Sequence, residues 1–246
     1  MSLKIKLYFH SRMGLVRVVS LVVLMCLTSL ALGENSSLFD EGENWELEYN
    51  KDGIEVYTRG ISQQPIKAVK ARVVIRSDLK SVASVLANVE LLPSWISVLE
   101  SSELLKAPDV AGKSLTYMVS DLPWPVKNRD ALYVNHMRYN EYHGEVIRYS
   151  SIIVDELTKA KNPSYVRMPE SEARWRARNL QDGNIEVELI AHADPGGAIP
   201  KWFANLVVIQ APKKTLTNLR DLLESGNYSQ KLRYVSKDIF GYEVGL

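Results

Sequence analysis

The feature that most constrains this chain lies at residues 192–205. An alternating apolar segment stops there at Asp194-Pro195-Gly196-Gly197, and Pro200 begins a long amphipathic run. Asp, Pro and Gly favour sharp turns, and a proline at the first helical position costs no hydrogen bond. The pattern predicts a strand, a tight turn and a helix over 200–223. Pro212 lies inside that helix and predicts a kink, because its ring clashes with the carbonyl four residues earlier.

The first 33 residues have the layout of a secretory signal peptide. Basic residues precede an apolar run over 18–32, and Ala31-Leu32-Gly33 offers small residues for cleavage. The run has about 15 residues, fewer than the ~20 that a membrane-spanning helix needs, although an uncleaved anchor is the alternative. The single cysteine, Cys26, lies within it, so the rest of the chain has no thiol or disulfide. We therefore predict export, to a bacterial periplasm.

Composition places the remaining chain among ordinary globular domains. Hydrophobic residues make up 46% of the sequence, which suffices for one core. Removal of the four basic residues in the first 33 leaves 26 Lys and Arg against 29 Asp and Glu, a net charge of −3. This balance argues against a nucleic-acid partner. We predict one domain over 34–224, followed by a polar tail over 225–246.

Alternation of apolar and polar residues predicts an antiparallel sheet. Two alternating runs, 45–49 and 54–59, flank Lys51-Asp52-Gly53, which is a strong hairpin signal. A third strand over 66–75 is followed by a helix that begins near Leu79, with Ser77 or Asp78 as N-cap, and by a short helix over 91–98. The remaining strands are predicted at 102–106, 114–120, 129–139, 145–154, 172–179 and 185–193.

In three of these strands, alternate side chains fall on two chemically different faces. One face combines small and aromatic side chains: Arg129, Ala131, Tyr133, Asn135 and Met137, then Trp175 and Ala177, then Leu189 and Ala191. The other carries charges, which we expect to be solvated and to pair across neighbouring strands: Arg174, Arg176, Arg178, Glu186 and Glu188. Small side chains on a concave sheet leave volume, so we predict a ligand cavity closed by the last helix. The alternative is a filled core.

Motifs for metal, phosphate or nucleophile chemistry do not emerge. His136, His143 and His192 have no second ligand at metal-binding spacing. The Asp-Pro-Gly-Gly turn lacks the Lys-Ser/Thr of a phosphate loop, and there is no Gly-x-Ser-x-Gly elbow. We predict no cofactor and no metal. In the loop over 121–128, two prolines flank Trp124, which either packs inward or meets lipid headgroups.

From about Trp45 to Leu223 the chain resembles the START domain, the lipid-transfer module related to steroidogenic acute regulatory protein. The matching pieces are Asp52-Gly53-Ile54-Glu55-Val56-Tyr57, Asn128-Arg129-Asp130 and Ala193-Asp194-Pro195-Gly196-Gly197 with Ile199-Pro200-Lys201-Trp202. The resemblance implies an α+β helix-grip fold, in which a curved antiparallel sheet wraps round the C-terminal helix and encloses a lipid tunnel. It also implies that the 121–128 loop gates the tunnel at a membrane. Some members carry a basic residue six positions after Arg129, where this chain has Asn135.

These considerations give one leading hypothesis: a non-enzymatic monomer that binds a lipid or sterol-like molecule and touches a membrane surface transiently. The predicted ligand-binding residues are Trp95, Met118, Arg129, Ala131, Tyr133, Asn135, Met137, Trp175, Ala177, Leu189, Ala191, Phe203, Leu206, Val207 and Gln210. The predicted membrane and gate residues are Leu122, Trp124, Val126, Gly196, Gly197 and Trp202. The alternatives are a cyclase- or hydrolase-like enzyme that uses Arg129, Tyr133, Asn135 and His136, or an envelope interaction protein with a filled core.

Overall fold

The computed structural model describes residues 37–39, 44–64, 66–140, 143–153, 163–197 and 199–228. The chain forms two compact units, 1–40 and 41–246. In the first, the described part is a single 3-10 turn, Ser37–Phe39. The predicted signal segment and nearly all of the predicted tail lie outside the described residues. Among those described, no helix is long and apolar enough to span a membrane.

The second unit is built on one large sheet. Its strands are β1 (Glu46–Lys51), β2 (Ile54–Arg59), β3 (Ala68–Ile75), β4 (Leu99–Lys106), β5 (Lys113–Ser120), β6 (Arg129–Asn140), β7 (Glu145–Ile152), β8 (Val166–Arg167), β9 (Glu170–Asn179) and β10 (Ile185–Asp194). The order is β1-β2-β3-β10-β9-β7-β6-β5-β4, and every pair along it is antiparallel. The two-residue β8 pairs in parallel with β6 and is too short for a sequence pattern to reveal.

The predicted hairpin and helices are confirmed. β1 and β2 pair antiparallel across the Asp-Gly turn. Helix α1 (Leu79–Ala87) is capped by Asp78, whose carboxylate accepts the Ser81 N–H at 2.9 Å. A 3-10 turn, Val89–Leu91, leads into the short helix α2 (Leu92–Trp95), with proline in its first turn.

The C-terminal helix departs from α geometry in its middle. Helix α3 (Lys201–Asn205) continues through a π-helical turn, Leu206–Gln210, into α4 (Ala211–Ser225). The Ala211 N–H donates to the Leu206 carbonyl five residues back, immediately before Pro212. The disturbance predicted at this proline is thus a wider turn that contains one residue more than an α-turn. Such turns are frequent at functional sites.

The helices pack on one face of the sheet. Helix α4 lies against β2 and β3, whereas α1 contacts β7 and β9. Leu216 and Leu219 of α4 share a buried cluster with Val187 of β10, and Trp95 meets Trp175 of β9 edge-on with ring centroids 5.2 Å apart. A large antiparallel sheet with a long C-terminal helix on one face confirms the predicted α+β class.

Candidate ligand-binding site

The pairing register places the predicted strand residues on the face that carries the helices. Met118 lies opposite Ala131, and Trp175 lies opposite Leu189. Directly opposite residues of an antiparallel pair point to the same side of the sheet. Since Trp175 and Leu189 belong to the cluster that includes α4, this is the inward face. The division into two faces that alternation predicts is therefore confirmed.

Burial along the inward face is uneven. Toward one end of β9 and β10, Ala177 and Val187 are fully buried within the core cluster. Near the middle of the sheet, several inward side chains are buried, among them Arg148 and Trp175. Others there are only half-buried although strands flank them on both sides: Met118, Tyr133, Met137, Ala173 and Ala191. The helices thus cover the inward face completely at one end and incompletely at its centre.

Tyr133 illustrates this partial enclosure. Burial raises the pKa of its phenol, while a side-chain hydrogen bond with Ser171 lowers it by less. The side chain nevertheless retains accessible surface. The phenol is thus surrounded largely by protein while its side chain is not fully buried.

A buried polar cluster lies beside Tyr133 and is centred on Asn135. The Asn135 amide nitrogen donates to Thr116 Oγ1 at 3.0 Å, and its Oδ1 accepts from Ser150 Oγ and from Arg148 Nη2, both at 2.8 Å. Arg148 also donates through Nη1 to the carbonyl of Leu86, in the last turn of α1. Arg148 therefore connects the inward face to a helix end.

The sequence reasoning missed Arg148. Its strand phase could have revealed it, because Val146, Arg148, Ser150 and Ile152 share one side of β7, with Val146 fully buried. Burial lowers the pKa of the Arg148 guanidinium to about 10, so it stays protonated at neutral pH.

The described hydrogen bonds of Arg129 all go to the protein backbone. Its guanidinium donates to three backbone carbonyls: Pro195 and Gly196, each at 3.2 Å, and Lys127. Its guanidinium carbon also lies 5.9 Å from the Phe203 ring centroid, within cation–π range. Arg129 joins the loop before β6 to the turn before the C-terminal helix, so its donors serve the protein itself.

That turn is held in a left-handed conformation by two glycines. Gly196 has φ +66° and Gly197 has φ +68°. The Gly196 N–H donates to Asp194 Oδ1 at 2.8 Å, and a Cβ at Gly196 would lie 3.1 Å from Pro169 Cδ. The glycines therefore shape a fixed turn that Arg129 holds from inside.

The loop over 121–128 exposes its tryptophan. Of the three predicted gate residues in this loop, Trp124 is 91% exposed, Leu122 is half-buried and Val126 is buried. Asn128 closes the loop by accepting the Leu122 N–H at 3.1 Å. Trp124 thus faces solvent between two exposed prolines, while Val126 packs inward.

Comparison with known proteins identifies the family to which this fold and site belong. The sequence profile of the START domain matches residues 29–221. The chain belongs to the START domain family. It is 29% identical over 182 residues to an uncharacterized protein of Pseudomonas aeruginosa, covering 74% of this chain and 88% of the relative. It is 23% identical over 168 residues to the phosphatidylcholine transfer protein of Bos taurus, covering 67% and 76%.

Solved START structures agree. A fragment of a STAR-related lipid transfer protein from Xanthomonas axonopodis superposes with a TM-score of 0.66 at 30% identity, covering 74% of this chain and 99% of that one. Human STARD10 superposes with a TM-score of 0.68 at 20% identity, covering 80% and 81%, which bears on the fold alone. The helix-grip architecture that the resemblance implied is thus confirmed.

At the position where some START members carry a basic residue, this chain has the neutral amide of Asn135, and a guanidinium from the next strand contacts it. Asn135 occupies the position, and Arg148 of β7 places its Nη2 2.8 Å from the Asn135 Oδ1. A charge is therefore present in the inward polar cluster, one strand away from where the resemblance located it.

The predicted ligand-binding residues of the C-terminal helix differ in how deeply they are buried. Phe203 is fully buried, Leu206 and Val207 are half-buried, and Gln210 is exposed. The π-helical turn explains the exposure of Gln210, because its extra residue moves the buried phase from Phe203 to Val208 and then to Ala211. The Trp202 side chain lies outside the described part of the structure.

The charged face of this START sheet pairs across strands as predicted. Arg174 contacts Glu188 at 3.0 Å, Arg178 contacts Glu186 at 2.7 Å, and Arg176 reaches Glu145 of β7 at 2.6 Å. The expectation of a fully solvated face is wrong for Arg174 and Glu188, both of which are buried. Opposite charges that neutralise each other permit that burial.

Proposed function

We propose that this START protein binds one lipid or other hydrophobic ligand between the inward face of the sheet and the C-terminal helix. The observation that carries the proposal is that a group of inward side chains at the centre of the sheet is only half-buried, among them Met118, Met137 and Ala191. A filled core would bury these central positions as completely as Ala177. The relatives named for lipid transfer support the same conclusion.

Apolar burial supplies enough free energy for retention. At about 25 cal/mol per Å², a lipid tail that buries roughly 300 Å² gains roughly 7 kcal/mol before the costs of ordering. Met118, Met137 and Ala191, which are only partly buried, offer apolar surface for such a tail. A charged anchor is therefore not required for binding as such.

We further propose that the loop over 121–128 and the start of the C-terminal helix open together at a membrane surface. Trp124 is almost fully exposed and Lys127 beside it is exposed, a combination suited to the headgroup region. Arg129 donates to the Lys127 carbonyl of the loop and to the Pro195 and Gly196 carbonyls of the turn before the helix, so it would hold the loop against that turn in the absence of a membrane.

The proposed protein is a non-enzymatic monomer that is exported to a bacterial periplasm. Support for export comes from the basic, apolar and small-residue layout of residues 1–33 and from the lack of cysteine beyond Cys26. The enzymatic alternative is weakened because its four residues do not converge. Arg129 is committed to backbone carbonyls, and His136 alternates to the face opposite Tyr133 and Asn135.

Native mass spectrometry tests the binding proposal directly. The full chain, expressed in a bacterium and purified without detergent, is expected to carry one lipid-sized adduct and to take up lipid from vesicles when stripped. A protein that stays empty in both measurements would exclude lipid binding.

The gate proposal has a separate test in Trp124→Ala. We expect the rate of lipid transfer between vesicles to fall several-fold, because an interfacial anchor is lost, while the amount bound at equilibrium is unchanged. Val110→Ala is the matched control, since Val110 is 86% exposed in a different loop. Equal transfer rates for the two variants would refute the proposed role of Trp124.

A further inference from the structure

We infer that the ligand carries an anionic group and that Arg148 binds this group inside the sheet's concave face. The inference rests on the proposed lipid-binding function and narrows it to amphiphiles with a phosphate or a carboxylate. Three observations carry it: an unbalanced buried charge, unused donors around that charge, and apolar walls beside it.

The charge of Arg148 is unbalanced within the described structure. The side chain is 5% exposed, and its two described hydrogen bonds go to neutral acceptors, the Leu86 carbonyl and the Asn135 amide oxygen. The inward positions of β5, β6, β7, β9 and β10 that the structure describes include no Asp or Glu. The Leu86 carbonyl, at the C-terminal end of α1, provides only the partial negative charge of a helix end.

An unbalanced buried cation is expensive. Transfer of an unpaired charge from water to a protein interior costs several kcal/mol, even after relaxation. Arg129, the other inward arginine, donates to three carbonyls around the turn, so its donors are already engaged. Arg148 is thus the inward cation that an incoming oxyanion would neutralise.

The polar cluster around Asn135 can donate further hydrogen bonds, but most of its acceptor oxygens already accept one. Asn135 Oδ1 already accepts from Ser150 and Arg148, and Thr116 Oγ1 accepts from Asn135. A guanidinium has five N–H donors, and those of Arg148 take part in two described hydrogen bonds. A planar fork with spare donors matches the two oxygens of a carboxylate or phosphate.

The neighbours of Arg148 on the inward face are apolar. Met137 and Trp175 lie directly opposite it on the two flanking strands, and Trp175 packs against Trp95. One anionic group against Arg148 and hydrocarbon against these side chains describe an amphiphile. Because Arg148 is buried, the charged end would lie within the protein.

The test compares three fluorescent probes that share one labelled acyl chain and differ in headgroup: phosphatidic acid, the free fatty acid and neutral diacylglycerol. Each is presented to the full chain as a cyclodextrin complex, so that no other lipid phosphate competes for the site. We expect at least one anionic probe to bind about tenfold more tightly than diacylglycerol or better. The preferred anionic probe distinguishes a phosphate ligand from a carboxylate ligand.

Variants assign the preference to Arg148. Arg148→Gln should abolish the preference for the anionic probe, and Arg148→Lys should retain part of it. Arg176→Gln, which removes a charge from the opposite face of the neighbouring strand, should retain all of it. Thermal melts check folding. If Arg148→Gln does not fold, the wild-type preference and its reduction in Arg148→Lys decide.

The outcomes separate the two proposals. Equal binding of all three probes to the wild-type protein, or an unchanged preference in folded Arg148→Gln, would overturn the anionic subsite and leave lipid binding intact. Failure to take up any probe, together with an empty protein in native mass spectrometry, would overturn both.

Discussion

At the scale of single residues, buried charges are stable here where they are shared between strands. Glu188 of β10 accepts from Arg72 of β3 at 2.8 Å and from Arg174 of β9 at 3.0 Å. Burial alone would raise the pKa of the Glu188 carboxyl, but the hydrogen bonds and charges of the two arginines hold that pKa below its ordinary value. The carboxylate is therefore one of the groups that join the two halves of the sheet.

Glu188→Gln tests this role. A carboxyl whose pKa is lower in the folded state stabilises the fold above about pH 4.3, its unfolded pKa, and this stabilisation is lost as pH falls through the folded value. We expect the variant to lose about 2–3 kcal/mol at pH 7 and to show a flatter dependence of unfolding free energy on acid pH. Urea denaturation between pH 7 and pH 3 measures both.

The control for this prediction is Glu186→Gln on the same strand and face. Its partner Arg178 has a side chain that is 45% exposed, so about 1 kcal/mol or less should be lost. Parallel pH profiles for the wild type and Glu188→Gln would contradict the assignment.

At the scale of elements, the C-terminal helix shows what periodicity can and cannot predict. Its existence, its proline start and its buried Leu216, Leu219 and Leu223 follow from the 3.6-residue spacing. The exposure of Gln210 does not follow from that spacing, because a π-helical turn leaves no composition signature and shifts the helical phase by one residue. The local pattern predicts the C-terminal helix. Which side of its first half is exposed depends on the backbone geometry of the π-helical turn.

The turn that leads into this helix yields a prediction with an internal control. Gly196 and Gly197 have nearly equal φ, but only a Cβ at Gly196 meets a neighbour, Pro169. We expect Gly196→Ala to lose more stability than Gly197→Ala, since both pay the backbone cost of about 1 kcal/mol and the first adds a steric clash. Thermal and urea unfolding compare the two variants. Equal losses of stability would show that the Pro169 ring moves aside at little cost.

At the scale of the whole molecule, alternation predicted the sheet and its two faces, but not which strand supplies the buried cation. Asn135 and Arg148 lie on neighbouring strands, and their meeting depends on the β6–β7 register. A single sequence shows the phase within each strand and leaves the register between strands undetermined. That is why the inward face could be predicted and its polar cluster could not.

Two alanines on the inward side of β9 distinguish a cavity from a filled core. Ala177 is fully buried, so Ala177→Leu should overpack the core and cost about 1–3 kcal/mol. Ala173 is half-buried at the centre of the sheet, so Ala173→Leu should fold with little loss and bind less lipid. Unfolding curves and lipid uptake are measured for both. Similar destabilisation of the two variants would indicate a filled core.

The pairing of β3 with β10 also determines when this protein can fold. Arg72 and Glu188, adjacent across that pair, are 116 residues apart in the chain. Contacts this distant in sequence are slow to form, because loop closure must precede them. During synthesis, the first three strands have no neighbour on that edge until the last strand emerges. A chain that ends before Ile185 would therefore leave β3 exposed as an unpaired edge that is prone to aggregation.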